Sequence, residues 1–224
     1  TLFSAASSCI NIVIDFEKGG STQIEQVAPY GDRVFWDASV PIHKTKGSVE
    51  YVRTPDDRFD NLPEYNFEPN FVEIDGLRMH YIDEGPKDGQ VILMLHGQPV
   101  WSFLYRKMIN KLAPLGYRCI APCMIGMGKS DKPIKEKYHT YDKHCENTLT
   151  FIKALGLTDI TAFIQDWGSA IGTWVIGENP ELFARVILAN GDLTLITAET
   201  NPFYIPNPLI VNPSSKPLPC KGLP

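Results

Sequence analysis

The chain has 224 residues, of which 43% are hydrophobic and 21% are charged, and its formal net charge is −5 at pH 7. These values predict a globular domain with one sizeable core, and the acidic balance argues against a nucleic-acid partner. No apolar run approaches the roughly 20 residues that span a bilayer, so we expect no membrane partner. Five scattered cysteines show neither metal-ligand nor disulfide spacing, which favours a reduced, cytoplasmic setting.

The first 50 residues carry the weakest signals. Residues 10–16 alternate as a strand would, but Gly19-Gly20 and a polar, turn-rich passage follow. We predict that residues 1–50 form a poorly ordered N-terminal extension, although an added interaction segment is the alternative interpretation.

From residue 51 onward the pattern is more regular. Residues 53–65 have the Pro, Asp and Asn content of a surface loop. Two strand-like runs, 71–74 and 78–83, are separated by Asp75-Gly76, which is a strong hairpin signal. The continuous apolar run 91–95 predicts a strand buried on both faces of a parallel sheet.

Helices and strands then alternate. After His96-Gly97-Gln98-Pro99 we predict helices over 102–114, 141–155 and 168–177, and strands over 117–121, 160–164 and 185–190. The glycine-containing loop 125–130 lacks the spacing of a phosphate-binding loop. The alternation predicts an α/β fold with helices on both faces of the sheet. Right-handed crossovers would place the loops after residues 95 and 164 at the same sheet edge, where ligands bind.

The stretch 160–172 holds the main candidate for catalysis. An apolar strand is followed by Gln165-Asp166, then Trp167 and a run of small residues that starts a helix. A sharp strand-to-helix turn with a nucleophile at its apex is a nucleophile elbow, here with Asp166 where serine is usual. A carboxylate attacks an electrophilic carbon without needing a base to remove its proton. The alternative interpretation is that Asp166 only caps the helix.

Several stretches occur together in one order: R-T-P-D-D-R-F-D-N-L at 53–62, H-Y-I-D-E-G at 80–85, H-G-Q-P at 96–99, W-S-F-L-Y-R-K-M-I at 101–109, G-M-G-K-S-D-K-P at 126–133 and Q-D-W-G-S at 165–169. With this set, residues 51–193 closely resemble the haloalkane dehalogenases. The motifs H-G-x-P and D-W-G also occur in epoxide hydrolases. The resemblance implies an α/β-hydrolase fold in which residues 51–193 form the N-terminal half of the core sheet with its flanking helices.

The resemblance also implies residue roles and partners. Asp166 would attack the halogen-bearing carbon of a small haloalkane and form an alkyl ester, which water then cleaves. The indole N–H of Trp167 would bind the leaving halide, and the backbone N–H groups of Trp167 and Gln98 would form the oxyanion hole. The Gln98 side chain could donate as well, although the family usually has Glu or Asn there. This chemistry needs no cofactor or metal.

The chain departs from the family pattern in several places. Cys123 stands where the family usually has Asp, and we expect no nucleophilic role for it because no basic partner is evident nearby. All five histidines precede Asp166, so the general-base histidine is missing: His43, His80, His96, His139 and His144. A Pro-rich tail, 194–224, stands where the cap domain and the remaining strands would follow.

These departures leave three functional hypotheses. The first is a dehalogenase-type hydrolase whose turnover is doubtful, and the second is an epoxide hydrolase with the same Asp nucleophile. The third is a non-catalytic, truncated α/β-hydrolase-like interaction protein. A sheet that stops after the strand at 185–190 would expose an edge, so we also expect marginal stability or self-association through that edge.

Overall fold

The computed structural model describes residues 10–13, 23–26 and 41–191. Strand β1 (Ile10–Val13) lies within the run that the sequence predicts as a strand, and it pairs antiparallel with β2 (Gln23–Gln26). The predicted tail at 194–224 lies outside the described residues, and the order of residues 1–50 as a whole remains a prediction.

A six-stranded mixed sheet forms the centre of the chain. Its strands are β5 Asn70–Ile74, β6 Leu77–Glu84, β7 Val91–Leu95, β8 Arg118–Pro122, β10 Ile160–Gln165 and β11 Phe183–Ala189. They follow the order β11-β10-β7-β8-β6-β5, and the first four of these run parallel to one another. Strand β6 is antiparallel to both β8 and β5. The predicted α/β class is therefore confirmed.

The hairpin between β5 and β6 forms at the predicted dipeptide. Asp75 and Gly76 have φ angles of 53° and 79°, as a two-residue hairpin turn with a left-handed backbone requires. A Cβ on Gly76 would lie 3.0 Å from the Cβ of Thr45, so the turn also packs closely against an earlier segment.

Three α-helices flank the sheet: α1 (Arg106–Leu112), α2 (Tyr141–Ala154) and α3 (Trp167–Glu178). Thr140 caps α2 by accepting a hydrogen bond from the Lys143 amide at 3.2 Å. Gly156 lies just beyond its end with a φ of 60°, as predicted from the sequence. The predicted helix 102–114 is divided, because 3₁₀ turns at Ser102–Tyr105 and Ala113–Leu115 precede and follow α1.

Strand β7 is buried along its whole length and separates two apolar layers. Val91, Leu93 and Leu95 belong to the layer that also contains residues of α2 and α3. Ile92 and Met94 belong to the other layer, beside Ile109 of α1. This strict alternation shows why a continuous apolar run was needed, since both faces of the strand lie in the core.

A small three-stranded sheet accompanies the main one. It consists of β3 (His43–Lys44), β4 (Glu50–Val52) and β9 (Lys132–Pro133). Beside it, the guanidinium of Arg53 donates to both carboxylate oxygens of Asp131, at 2.7 and 2.9 Å. Asp131 is fully buried and also accepts from the Arg78 amide at 2.8 Å. These bonds attach the start of the long surface loop to the segment after β8.

Among the residues that the structure describes, strand β11 is the last strand on one side of the main sheet. Its residues Val186, Ile187 and Leu188 are 44%, 48% and 38% exposed. Within the described residues, β11 pairs only with β10. The prediction that the sheet stops after this strand concerns residues beyond 191, so it stays a prediction.

Candidate active site

The turn from β10 into α3 places Asp166 in an unusual backbone conformation. Its φ is 52° and its ψ is −126°, a region that residues with side chains rarely adopt. Such strain persists only where the surrounding structure holds it, and it is common at functional sites. The Asp166 carboxylate makes no capping hydrogen bond to α3. The helix-cap interpretation therefore does not account for this side chain.

The carboxylate faces the loop that follows β7. The backbone N–H of Gln98 donates to Asp166 Oδ1 at 3.0 Å, which joins two residues 68 positions apart. Gly97 lies so close that a Cβ at this position would overlap the Asp166 carboxylate. Gly168 similarly lets the start of α3 approach the carbonyl oxygens of Leu95 and His96. The two loops that sequence reasoning assigns to one sheet edge are thus in direct contact.

His96 holds the loop after β7 in place. Its Nδ1 bonds the Gly97 carbonyl at 2.8 Å, and its Nε2 accepts from the Met124 amide at 3.0 Å. Because an amide can only donate, the ring proton is on Nδ1. Burial lowers the pKa of His96 to about 4, although the bond to the Gly97 carbonyl opposes this shift. The ring is therefore a neutral brace between two loops.

Further contacts fix both sides of this turn. The Tyr105 hydroxyl donates to the Leu95 carbonyl at 2.8 Å, at the end of β7. On the opposite side, the Asp166 amide donates to the Asn190 carbonyl at 3.2 Å, just beyond β11. Asp166 therefore lies between the buried end of β7 and the end of β11.

The other two predicted site residues lie next to Asp166. Trp167 is half-buried and is the first residue of α3, while Gln98 is exposed at the tip of its loop. The structure therefore brings Asp166, Trp167 and Gln98 together at the carboxyl ends of β7 and β10.

The four histidines from His80 onward lie in other surroundings. His96 is engaged as described, and His139 Nε2 bonds the Pro133 carbonyl at 2.9 Å. His144 stacks on His139, with ring centroids 5.9 Å apart, and burial lowers its pKa to about 4. Among the described residues, none of these rings forms a hydrogen bond to the Asp166 carboxylate.

Sequence reasoning missed one buried polar cluster. His80 Nδ1 lies 3.2 Å from Cys123 Sγ, so the expectation that Cys123 lacks a nearby basic partner was wrong. Ser102 Oγ is 3.1 Å from the same sulfur and 3.2 Å from the Tyr65 hydroxyl. Burial raises the pKa of Cys123 and lowers that of His80 to about 3, so both groups are neutral. This state makes Cys123 a structural thiol rather than a nucleophile.

A groove of about 640 Å³ opens at the opposite end of the sheet. Its lining includes Lys87 and Arg118, which both pair with Asp83, and Arg185 at the start of β11. Asp88 and Asp159 also line it, so its charges largely offset one another. It lies at the amino ends of the parallel strands, away from Asp166.

Two features of the described residues bear on other functions. No group of three or more His, Cys, Asp or Glu side chains there could hold a metal ion. In that same part of the chain, no helix has the length and apolar character needed to cross a membrane.

Comparison with known proteins identifies the family. A family model for the alpha/beta hydrolase fold matches residues 90–209, which is more than half of the chain. This chain belongs to the α/β-hydrolase family. Its resemblance to haloalkane dehalogenases is confirmed by the enzyme of that name from Psychrobacter cryohalolentis, 47% identical over 147 residues. That alignment covers 63% of this α/β-hydrolase chain and 48% of the relative.

Solved structures give the same result. A tetrameric haloalkane dehalogenase from Paraglaciecola agarilytica matches with a TM-score of 0.63 and 36% identity, over 65% of this chain and 50% of that one. An epoxide hydrolase from Vigna radiata matches with a TM-score of 0.52 and 28% identity, over 56% and 40%. The predicted α/β-hydrolase fold is therefore confirmed, and the chain spans about half the length of the relatives it matches.

Proposed function

We propose that this chain is a hydrolase of the haloalkane dehalogenase type, with Asp166 as its nucleophile. The observation that carries the proposal is the placement of Asp166. Its carboxylate stands on a strained turn, is not used as a helix cap and faces the Gln98 amide at 3.0 Å. A carboxylate held in this way can attack carbon directly.

In the first step, one carboxylate oxygen forms a bond to the halogen-bearing carbon while the carbon–halogen bond breaks. The halide leaves with the bonding electron pair, and the product is an alkyl ester of Asp166. The indole N–H of Trp167 and the side-chain amide of Gln98 are the donors that we assign to the halide. Because Oδ1 already accepts a hydrogen bond from the backbone N–H of Gln98, we assign Oδ2 as the attacking oxygen.

In the second step, water attacks the ester carbonyl carbon. Negative charge then develops on Oδ1, where the backbone N–H groups of Gln98 and Trp167 would stabilise it. When this intermediate collapses, the bond from the carboxyl carbon to Oδ2 breaks, and the alcohol leaves with Oδ2 and one proton from the water. This step also requires a base that removes a proton from the water. No histidine follows Asp166 in the 224 residues, and His80, His96 and His139 bond other groups. For this chain we therefore expect the ester to form and to persist.

The test is intact mass after incubation with a bromoalkane, with bromide measured in parallel. We expect one added alkyl group on the chain and one bromide per chain. Asp166→Asn should abolish both signals, because an amide is a far weaker nucleophile. Asp159→Asn is the matched control, since Asp159 is exposed at the opposite end of β10, and it should behave as the wild type.

Other outcomes are equally informative. Bromide far in excess of protein without a lasting adduct would show that a base is present and that hydrolysis is complete. Neither adduct nor bromide, from a chain that unfolds cooperatively, would overturn the proposal and favour a non-catalytic interaction protein.

A second candidate is an epoxide hydrolase, in which the same carboxylate opens an epoxide ring. The likeness to the Vigna radiata enzyme supports it, at lower identity than the dehalogenase relatives. Ring opening leaves an alkoxide, so it needs an acidic donor close to the epoxide oxygen. Incubation with an epoxide beside the bromoalkane separates the two candidates, because each adduct has its own mass.

A further inference from the structure

The strained backbone of Asp166 is hydrogen-bonded through both its amide and its carbonyl. The amide donates to the Asn190 carbonyl at 3.2 Å, and the carbonyl accepts from the Ser169 amide at 2.9 Å. The Ser169 hydroxyl donates to the same carbonyl oxygen at 2.5 Å. A carbonyl oxygen has two lone pairs, so Ser169 alone supplies a donor for each of them.

Ser169 is the third residue of α3 and is 1% exposed. A helical serine or threonine often donates to a carbonyl three or four residues earlier. Thr148 gives the ordinary form of this bond within α2, where its buried hydroxyl donates to the His144 carbonyl at 2.8 Å. At Ser169 the acceptor instead belongs to a residue with a φ of 52° and a ψ of −126°. The Ser169 hydroxyl therefore bonds the one residue at this turn whose backbone has to be held.

We propose that Ser169 is a positioning residue for the Asp166 nucleophile, a role that rests on the proposed function. The ψ angle of Asp166 sets the direction of its carbonyl, so both bonds from Ser169 oppose a rotation about ψ. Relaxation toward an ordinary backbone conformation would swing the Cα–Cβ bond of Asp166. The carboxylate would then leave the Gln98 amide, which donates to it at 3.0 Å. Ser169 thus helps to aim the attacking oxygen without touching the substrate.

The first test is Ser169→Ala, which removes the hydroxyl and keeps the amide and a residue that favours helix. Adduct formation with a bromoalkane is followed by intact mass over a range of bromoalkane concentrations. We expect the limiting rate of alkylation to fall by roughly 5- to 10-fold, the equivalent of one hydrogen bond. The half-saturating concentration should stay the same, because Ser169 does not contact the substrate.

Thr148→Val is the matched control, since it removes a buried hydroxyl that bonds a helix carbonyl in the same way. Urea denaturation should show similar losses of unfolding free energy in the two variants. Only Ser169→Ala should alkylate more slowly than the wild-type chain. Equal alkylation rates in the two variants would overturn the positioning role and leave Ser169 as an ordinary helix serine.

The second test observes the Asp166 carbonyl directly. Of the four tryptophans, only Trp167 follows an aspartate in the sequence. Labelling with carbonyl-¹³C aspartate and ¹⁵N tryptophan therefore marks a single peptide bond, and its carbonyl NMR signal reports the hydrogen bonding of Asp166. We expect this signal to shift in Ser169→Ala and not in Thr148→Val.

The NMR signal separates the two proposals because it does not depend on alkylation. An unchanged carbonyl signal in Ser169→Ala overturns the positioning role even where the wild-type chain forms the adduct. A wild-type chain that forms no adduct overturns the proposed function, and the carbonyl signal then still decides whether Ser169 holds Asp166.

Discussion

Asp166 contacts two segments of the chain, and these differ in burial and in the number of hydrogen bonds that hold them. On one side, β7 ends at Leu95 and His96, which are 2% and 0% exposed and hydrogen-bonded at several points. On the other side, Asn190 follows β11, whose central residues are 38–48% exposed. The comparison suggests that the buried side fixes the geometry of the carboxylate. The β11 side supplies one backbone bond and tolerates change.

The largest effect on the alkylation rate should come from Gly97, where the buried side contacts the Asp166 carboxylate. Gly97→Ala adds a methyl group that would overlap the Asp166 carboxylate. The carboxylate must move, and a displacement of about 1 Å can cost roughly 100-fold in rate. We expect alkylation by a bromoalkane, followed by intact mass, to slow by at least about that factor.

Gly47→Ala provides the control for Gly97→Ala. The nearest atom to its new Cβ would be the Thr45 hydroxyl oxygen at 3.7 Å, which is an ordinary contact. It should leave the alkylation rate unchanged. An unchanged rate in Gly97→Ala would mean that the carboxylate is not positioned by this close approach.

The next largest effect should come from His96, which holds the loop after β7 in place. His96→Ala removes the partner of the buried Met124 amide and leaves a cavity beneath the loop. We expect a loss of about 2–5 kcal/mol in the free energy of unfolding, measured by urea denaturation. His43→Ala is the comparison, because His43 is partly exposed and stacks on Tyr51 in the small three-stranded sheet. A similar small loss in both variants would contradict the assigned role of His96.

Low pH should also lower the folding stability, because buried histidines lie on the buried side of the site. Burial lowers the pKa of His80 to about 3 and that of His96 to about 4, against about 6.5 in an unfolded chain. As the pH falls below about 6.5, the unfolded state binds protons that the folded state does not, so folding stability declines. Each histidine should contribute up to about 1.4 kcal/mol per pH unit.

Urea midpoints between about pH 7 and about pH 5 measure this decline. The slope should become shallower in His96→Ala, since one of the depressed groups is gone. A stability that is flat over this range would mean that these rings are protonated, or solvated, in the folded state.

The smallest effect is expected on the β11 side. Asn190 has a φ of 46°, which glycine adopts more easily than other residues. Asn190→Gly keeps the carbonyl that accepts from Asp166, so we expect a change in unfolding free energy within about 0.5 kcal/mol. Alkylation should proceed at the wild-type rate. A large loss of unfolding free energy or of alkylation rate would show that the Asn190 side chain has a role that the backbone bond does not explain.

Local signals predicted the parts of this fold that depend on neighbouring residues. Asp75-Gly76 gave the hairpin because its turn requires positive φ angles, and Gly156 marked the end of α2 for the same reason. The apolar run of β7 predicted burial on both faces. The position of Asp166 followed from a strand that passes directly into a helix of small residues.

Contacts between distant residues were not accessible in this way. Strands β3 and β9 have two residues each, too few for an alternating pattern, and they meet through β4. His80 and Cys123 are 43 positions apart, so nothing in either local sequence indicates that they touch. The division of the predicted helix 102–114 depends on how Ser102 and Tyr105 are buried against the sheet.

The buried thiols, including the hydrogen-bonded thiol of Cys123, can report how often parts of this fold open. Cys119, Cys123 and Cys145 are all buried free thiols, and burial raises the pKa of each. A thiol-specific reagent can reach them only when the surrounding structure opens. Their separate labelling rates would therefore report how often β8, the loop after it and α2 open in the native protein. A common rate would mean that the domain opens as one unit, and distinct rates would rank its parts.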